Sequence, residues 1–149
     1  MNGKDLSCVT MQKLNRYLAL IDQLDSARKS LMDLQDAATP GAQKLTGMPH
    51  APGVRDKVGD LAIEIADTKD AIADMEAEIE ATAKEIEEFI PTIPYVELRN
   101  IFRMRYIRLL DWEDIAEVFQ WRYTEAAFRK RVKGYMERHS SEPKVRRVR

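Results

Sequence analysis

The chain has 149 residues, of which 33% are charged and only 7% aromatic, and its formal net charge is −1. Those proportions exclude a broad compact core and suit long helices, each of which needs only one apolar stripe. No apolar run approaches a membrane span of about 20 residues, MNGKDLSCVTMQ lacks the apolar centre of a secretory signal, and the single cysteine, Cys8, fits a reducing cytoplasm.

From Leu6 to about Ala37 the apolar residues follow a helical period through Leu14, Tyr17, Ile21, Leu24, Leu31 and Leu34. Leu18, Leu20, Ala27 and Met32 widen this stripe beyond what one partner helix needs. The surplus around Leu18, Leu20, Ile21 and Met32 is therefore the expected dimerisation face, the alternative being that it packs on the loop or the C-terminal module. TPGAQKLTGMPHAPGVRD then places three prolines and three glycines in residues 39–56. A helix does not run through such a segment, because each proline lacks the amide hydrogen and clashes with the preceding turn. Residues 39–55 are expected to form a long functional or mobile loop, which Leu45, Met48 and Val54 could pin to a helix, with His50 packing within it.

A second helix is expected to start at Asp56, a good N-cap, and to end near Phe89. Its seam is Val58, Leu61, Ile65, Thr68, Ile72, Met75, Ile79, Thr82, Ile86 and Phe89, with steps alternating three and four as in a coiled coil. Residues 56–90 hold 12 Asp/Glu against 3 Lys, so the surface outside the seam is acidic. Two long helices joined by one loop most simply fold back as an antiparallel hairpin, here residues 5–90. Pro91 and Pro94 in FIPTIPYVE end the pattern, making 91–95 a hinge.

Three shorter helices are expected over 96–139. Val96 to about Ile107 buries Leu98, Ile101, Phe102 and Tyr106. Leu109 and Leu110 turn the corner. Asp111 caps a helix from Trp112 to Phe119 that turns Trp112, Ile115, Ala116 and Phe119 inward. Thr124 caps a third helix to about His139, whose buried face is Phe128, Val132, Tyr135 and Met136. Residues 140–149 are expected to form a basic, disordered tail.

The charge is segregated along this order. Residues 1–94 hold 10 Lys/Arg and 17 Asp/Glu, a balance of −7, whereas residues 95–149 hold 14 and 8, a balance of +6. On the third short helix Glu125, Ala126, Arg129, Lys130 and Lys133 fall opposite the buried set. A short helix, a turn and a longer basic helix form the helix-turn-helix pattern, whose second helix enters the DNA major groove. Cations on the side that is not core suit phosphates and guanine edges.

RNIFRMRYIRLLDWEDIAEVF is similar to the fourth conserved region of bacterial sigma factors, patterned LRLRYxxxxSxxEIAxxL. Arg103, Met104, Arg105 and Tyr106 match its first helix, Asp111 its cap, and Glu113 to Phe119 its second helix. With the acidic hairpin and the GMPHAPGVRD loop, residues 10–138 resemble a family of small phage and prophage proteins related to ArpU/RinA-type regulators of late genes. The resemblance departs at the turn, where Gln120 stands in place of the usual glycine and WRY lengthens the connection by about two residues.

The expected architecture is all-α, a long antiparallel helical hairpin or coiled coil followed by a C-terminal three-helix helix-turn-helix module. The resemblance implies a transcription regulator of a phage or prophage, acting in the bacterial cytoplasm on double-stranded DNA, as a homodimer, with RNA polymerase as a possible partner of the hairpin. Base contacts are assigned to Glu125, Ala126, Arg129 and Lys130. Phosphate contacts are assigned to Arg122, Tyr123, Thr124, Arg131 and Lys133, extended by Arg103 or Arg105. Two other readings share the pattern: a DNA-packaging subunit resembling a small terminase, and an adaptor that binds polymerase without DNA. No catalytic residue, cofactor or metal site is expected, since His50, His139 and Cys8 lack ligand spacing and the many carboxylates are spread over solvated helix faces.

Overall fold

A computed structural model describes residues 9–39 and 52–139, the side chains of 52–57 excepted. The described chain is all-helical: α1 (Met11–Ala37), α2 (Pro52–Phe89), a 3-10 turn at Ile90–Thr92, α3 (Val96–Phe102) continued by a π turn at Arg103–Ile107, α4 (Trp112–Val118) and α5 (Glu125–His139). Among the described residues no helix is long and apolar enough to cross a membrane.

Both long helices begin elsewhere than expected. Residues 9 and 10 are not helical, and α1 starts at Met11 rather than Leu6. Thr10 sets that boundary: its Oγ1 accepts the Lys13 N–H at 3.1 Å and its carbonyl accepts the Leu14 N–H at 3.0 Å, the bonding of an N-cap. Val9 and Leu14, the positions of a hydrophobic staple across such a cap, are both buried. The second helix begins at Pro52 rather than Asp56. A proline is tolerated at the first helical position, where its missing N–H would have no intrahelical partner, so the loop loses residues 52–55 to the helix. Leu45, Met48 and His50 lie outside the described residues, as does the tail at 140–149.

Two compact units make up the chain, one holding the residues up to Leu18 together with those from Glu80 onward, the other Ala19–Ile79. The division thus falls within α1 and α2, whereas the proline-marked segment at 91–95 lies inside the first unit. The reason is apolar. Ile90 and Ile93 beside the prolines are buried, the Ile93 N–H donates to the Ile90 carbonyl at 3.0 Å, and Arg99 Nη1 donates to the Ile93 carbonyl at 2.7 Å.

The first unit has an aromatic core. Phe102 lies 5.9 Å from Phe89, 5.6 Å from Tyr106 and 6.2 Å from Tyr135, centroid to centroid. The tilted and edge-on geometries are those aromatic quadrupoles favour. Leu14, Ile86, Ile101, Ile115, Phe128, Val132 and Met136 complete it at full burial. Of the residues expected inside the C-terminal module, Phe119 alone is only half-buried; its ring meets Phe128 at 5.2 Å.

Among the described residues of the unit Ala19–Ile79 only Leu20, Leu24 and Ile72 are buried. Leu31, Leu34, Leu61, Ile65, Met75 and Ile79 are half-buried, while Met32 (62%), Ile63 (60%) and Val58 (45%) face outward. Arg28 Nη2 meets Glu76 Oε2 at 2.7 Å on this unit's surface. Of the four residues assigned to dimerisation, Leu20 is already buried in its own chain and offers no area to a second one. Met32 is open, Ile21 is half-buried, and Leu18, also half-buried, belongs to the first unit.

Candidate nucleic-acid interface

α5 owes its position to one face. Phe128, Val132, Tyr135 and Met136 are buried, and at about 100° per residue they span roughly a third of the helix circumference. Thr124 starts the helix: its Oγ1 accepts the Ala127 N–H at 3.1 Å. Outside that arc, Ala126, Arg129, Lys130 and Lys133 are exposed, while Glu125, in the first turn and within the angular range of the buried set, is half-buried. The side chains of Arg129, Lys130 and Lys133 make no ion pair with another described residue.

Arg122 and Arg131 are held differently. Glu97 on α3 takes both, Oε2 accepting from Arg122 Nη2 at 3.2 Å and Oε1 from Arg131 Nη1 at 3.0 Å. Their guanidiniums also lie over the Tyr123 ring, at 5.9 and 5.4 Å, and Arg122 lies 5.5 Å from Phe119. The Tyr123 ring itself packs edge-on to Phe128 at 5.4 Å. The cations assigned to DNA contact therefore fall into two sets, Arg129, Lys130 and Lys133 open on α5, and Arg122 and Arg131 clamped by Glu97 around Tyr123. Sequence spacing missed this clamp, because Glu97 is 25 and 34 residues from its two partners.

The turn before α5 is closed by backbone bonds. The Gln120 N–H donates to the Glu117 carbonyl at 2.9 Å and the Trp121 N–H to the Ala116 carbonyl at 2.8 Å, the paired bonds of a Schellman motif. Gln120 and Trp121 both sit at φ 54. That left-handed position normally takes glycine, and a side chain there costs about 1–2 kcal/mol. Trp121 is nonetheless 54% exposed, so burial of its ring does not repay that strain. Asp111 caps α4 through Oδ1, which accepts the Asp114 N–H at 3.0 Å.

Arg105, named as an extension of the phosphate-contact set, is anchored within its own chain. Its Nη1 donates to the Leu110 carbonyl at 3.0 Å, its guanidinium lies 4.7 Å from the centre of the Trp112 ring, and its buried Nε–H meets no acceptor. It is a fixed charge at the corner between the π turn and α4. The π turn itself puts Arg105 there, since the Arg108 N–H reaches back to the Arg103 carbonyl at 2.9 Å and widens the helix by one residue. Arg103 stays exposed. Next to Arg105, Tyr106 is 1% exposed; burial pushes its hydroxyl up to about 12, opposed by the Arg105 charge and a hydrogen bond to it. Comparison of the chain with protein-family models, with curated proteins and with solved structures finds no match.

Among the described residues no group of three or more His, Cys, Asp or Glu side chains is placed to hold a metal ion. His139 stacks on Tyr135 at 5.0 Å and meets Phe89 edge-on at 5.6 Å.

Proposed function

We propose that residues 96–139 form a sigma-region-4-like helix-turn-helix that reads duplex DNA with α5, and that the chain is a sequence-specific regulator of phage or prophage transcription. One observation carries this reading: outside its buried arc α5 presents Arg129, Lys130 and Lys133 exposed and without ion pairs among the described residues. Exposed cations on a helix preceded by a short capped helix are what phosphate neutralisation and guanine recognition require. Glu125, Ala126, Arg129 and Lys130 supply the base contacts. Lys133, Arg122, Tyr123, Thr124 and Arg131 supply backbone contacts, the two arginines from the Glu97 clamp.

In the same reading α1 and α2 form an antiparallel hairpin. Lys13 pairs with Glu85 and Arg28 with Glu76, so later residues of α1 meet earlier residues of α2. The half-buried seam between Leu31 and Ile79 and the open Met32, Val58 and Ile63 are covered by a second copy, giving a homodimer, and the acidic surface of α2 is the side offered to RNA polymerase.

Selection of bound duplexes from a random pool by the full chain supplies the cognate site for the test. Arg129→Ala then costs about 1–3 kcal/mol of discrimination between that site and a scrambled one. Unchanged affinity and preference in this variant overturn the recognition face. Light scattering separates the assembly readings: a dimer supports the regulator, a ring the packaging subunit.

A further inference from the structure

A cleft of about 360 Å³ in the first unit is lined by Arg105, Arg129 and Lys133 together with Asn15 and Leu18 of α1 and Trp112. Three cations and an amide converge there, and no carboxylate of the described residues lines it. Elsewhere in the same unit three cations do find carboxylates: Lys13 pairs with Glu85 at 2.5 Å and Arg122 and Arg131 with Glu97. Like charges facing one cleft repel, most strongly where apolar walls such as Leu18 and Trp112 lower the local dielectric. An arrangement of this kind is stabilised by an anion between them. Arg105 is the preorganised member, anchored by the Leu110 carbonyl and the Trp112 ring, while Arg129 and Lys133, one turn apart on α5, are exposed and able to close on a ligand.

We propose that this cleft binds a phosphate group, its oxygens taken by Arg105 and Lys133 with the Asn15 amide as a further donor and the nearby Arg129 charge adding to the attraction. Guanidinium and ammonium groups give charge-assisted hydrogen bonds to phosphate oxygens, and the volume falls at the small end of ligand pockets. The group is either a free phosphate compound or a backbone phosphate of bound DNA, and the proposal does not depend on base reading by α5.

The chain's two tryptophans, Trp112 and Trp121, allow a direct test. In the full-length Trp121→Phe protein the remaining Trp112 reports on the cleft. Inorganic pyrophosphate is titrated at ionic strength held constant with sodium chloride, and a 20-base-pair duplex is titrated in parallel. A saturable change in Trp112 emission is expected, with half-saturation raised about tenfold or more by Asn15→Asp, which puts a carboxylate into the cleft, and by Lys133→Gln. Unchanged far-UV circular dichroism verifies the fold of each variant. A response to pyrophosphate identifies a free phosphate compound as the source, and a response to the duplex alone identifies backbone phosphate. Silence of Trp112 towards both, or variants that titrate like the parent, overturns the site. A pyrophosphate response in a protein that binds no DNA leaves the cleft standing and removes the regulator reading. Normal DNA recognition with a silent cleft does the reverse.

Discussion

The first unit and the unit Ala19–Ile79 are built from the same kind of amphipathic helix, yet they bury their seams to different extents. Along α2 the heptad positions pass from Val58, exposed, through half-buried Leu61 and Ile65, to Ile86 at 0% exposure. The heptad pattern does not change over that span; what changes is the supply of packing partners. Near Ile86 and Phe89 the chain provides the rings of Phe102 and Tyr135, whereas the described part of Ala19–Ile79 holds stretches of α1 and α2 alone, too few elements to enclose an apolar stripe. Seam regularity therefore specifies which residues turn inward, and the number of neighbouring elements decides how dry they become.

Both tryptophans belong to the first unit, so fluorescence follows that unit alone while far-UV circular dichroism follows every helix. The largest expected effect is that of Phe102→Ala, which removes a fully buried ring at the centre of the aromatic core and costs about 3–5 kcal/mol. Ile65→Ala in the other unit costs about 1 kcal/mol, because part of its apolar area is already wet. In urea, Phe102→Ala shifts the fluorescence transition far to lower denaturant, and Ile65→Ala leaves it in place while moving only the dichroism. Equal shifts of both signals by either substitution would show one cooperative molecule and break the contrast.

Alkaline pH sharpens it next. The folded state holds the Tyr106 proton up to about 12, against an ordinary value of 10.0. A group whose folded pKa is raised stabilises the fold below its unfolded pKa and loses that contribution as pH climbs through the folded one. Tyr106 thus stabilises the first unit fully below pH 10, and about 3 kcal/mol disappears between pH 10 and 12, two pH units at about 1.4 kcal/mol each. Tyr17 and Tyr135, also raised chiefly by burial, steepen the same loss. Tyr106→Phe is expected to flatten the fluorescence-detected stability curve in that window; an unaltered slope would assign the alkaline loss to other groups.

The smallest effects concern the turn into α5. Thr124→Ala removes an N-cap and lowers the melting midpoint by the equivalent of about 1 kcal/mol. Gln120→Gly moves it the other way, by up to about 1 kcal/mol, because glycine takes φ 54 without a side-chain clash. A Gln120→Gly protein that melts lower than the parent would mean that the glutamine side chain contributes more than its backbone strain costs.

Much of this fold was legible beforehand for local reasons. Asp111 and Thr124 announce their helices because a cap is a contact between residues three apart. The buried faces of α4 and α5 follow from helical period alone, since a face repeats every three to four residues. The start of α1 is equally local: Thr10 with Val9 and Leu14 carries the cap and staple positions. Gln120 was recognised as standing where glycine usually does, and its positive φ shows the backbone keeping the turn at the expense of the residue.

Local chemistry by itself thus determined the all-helical class, the identity of the inward residues and the cationic character of α5, because each depends on neighbours within a turn or two. Only the tertiary structure decided that Ile90 and Ile93 draw the proline segment into the core, and that Glu97 claims Arg122 and Arg131 while Arg129 and Lys133 share a cleft with Arg105. Those outcomes join residues dozens of positions apart. Burial and ion pairing are properties of proximity in space, and periodicity along a chain carries no record of which distant groups meet.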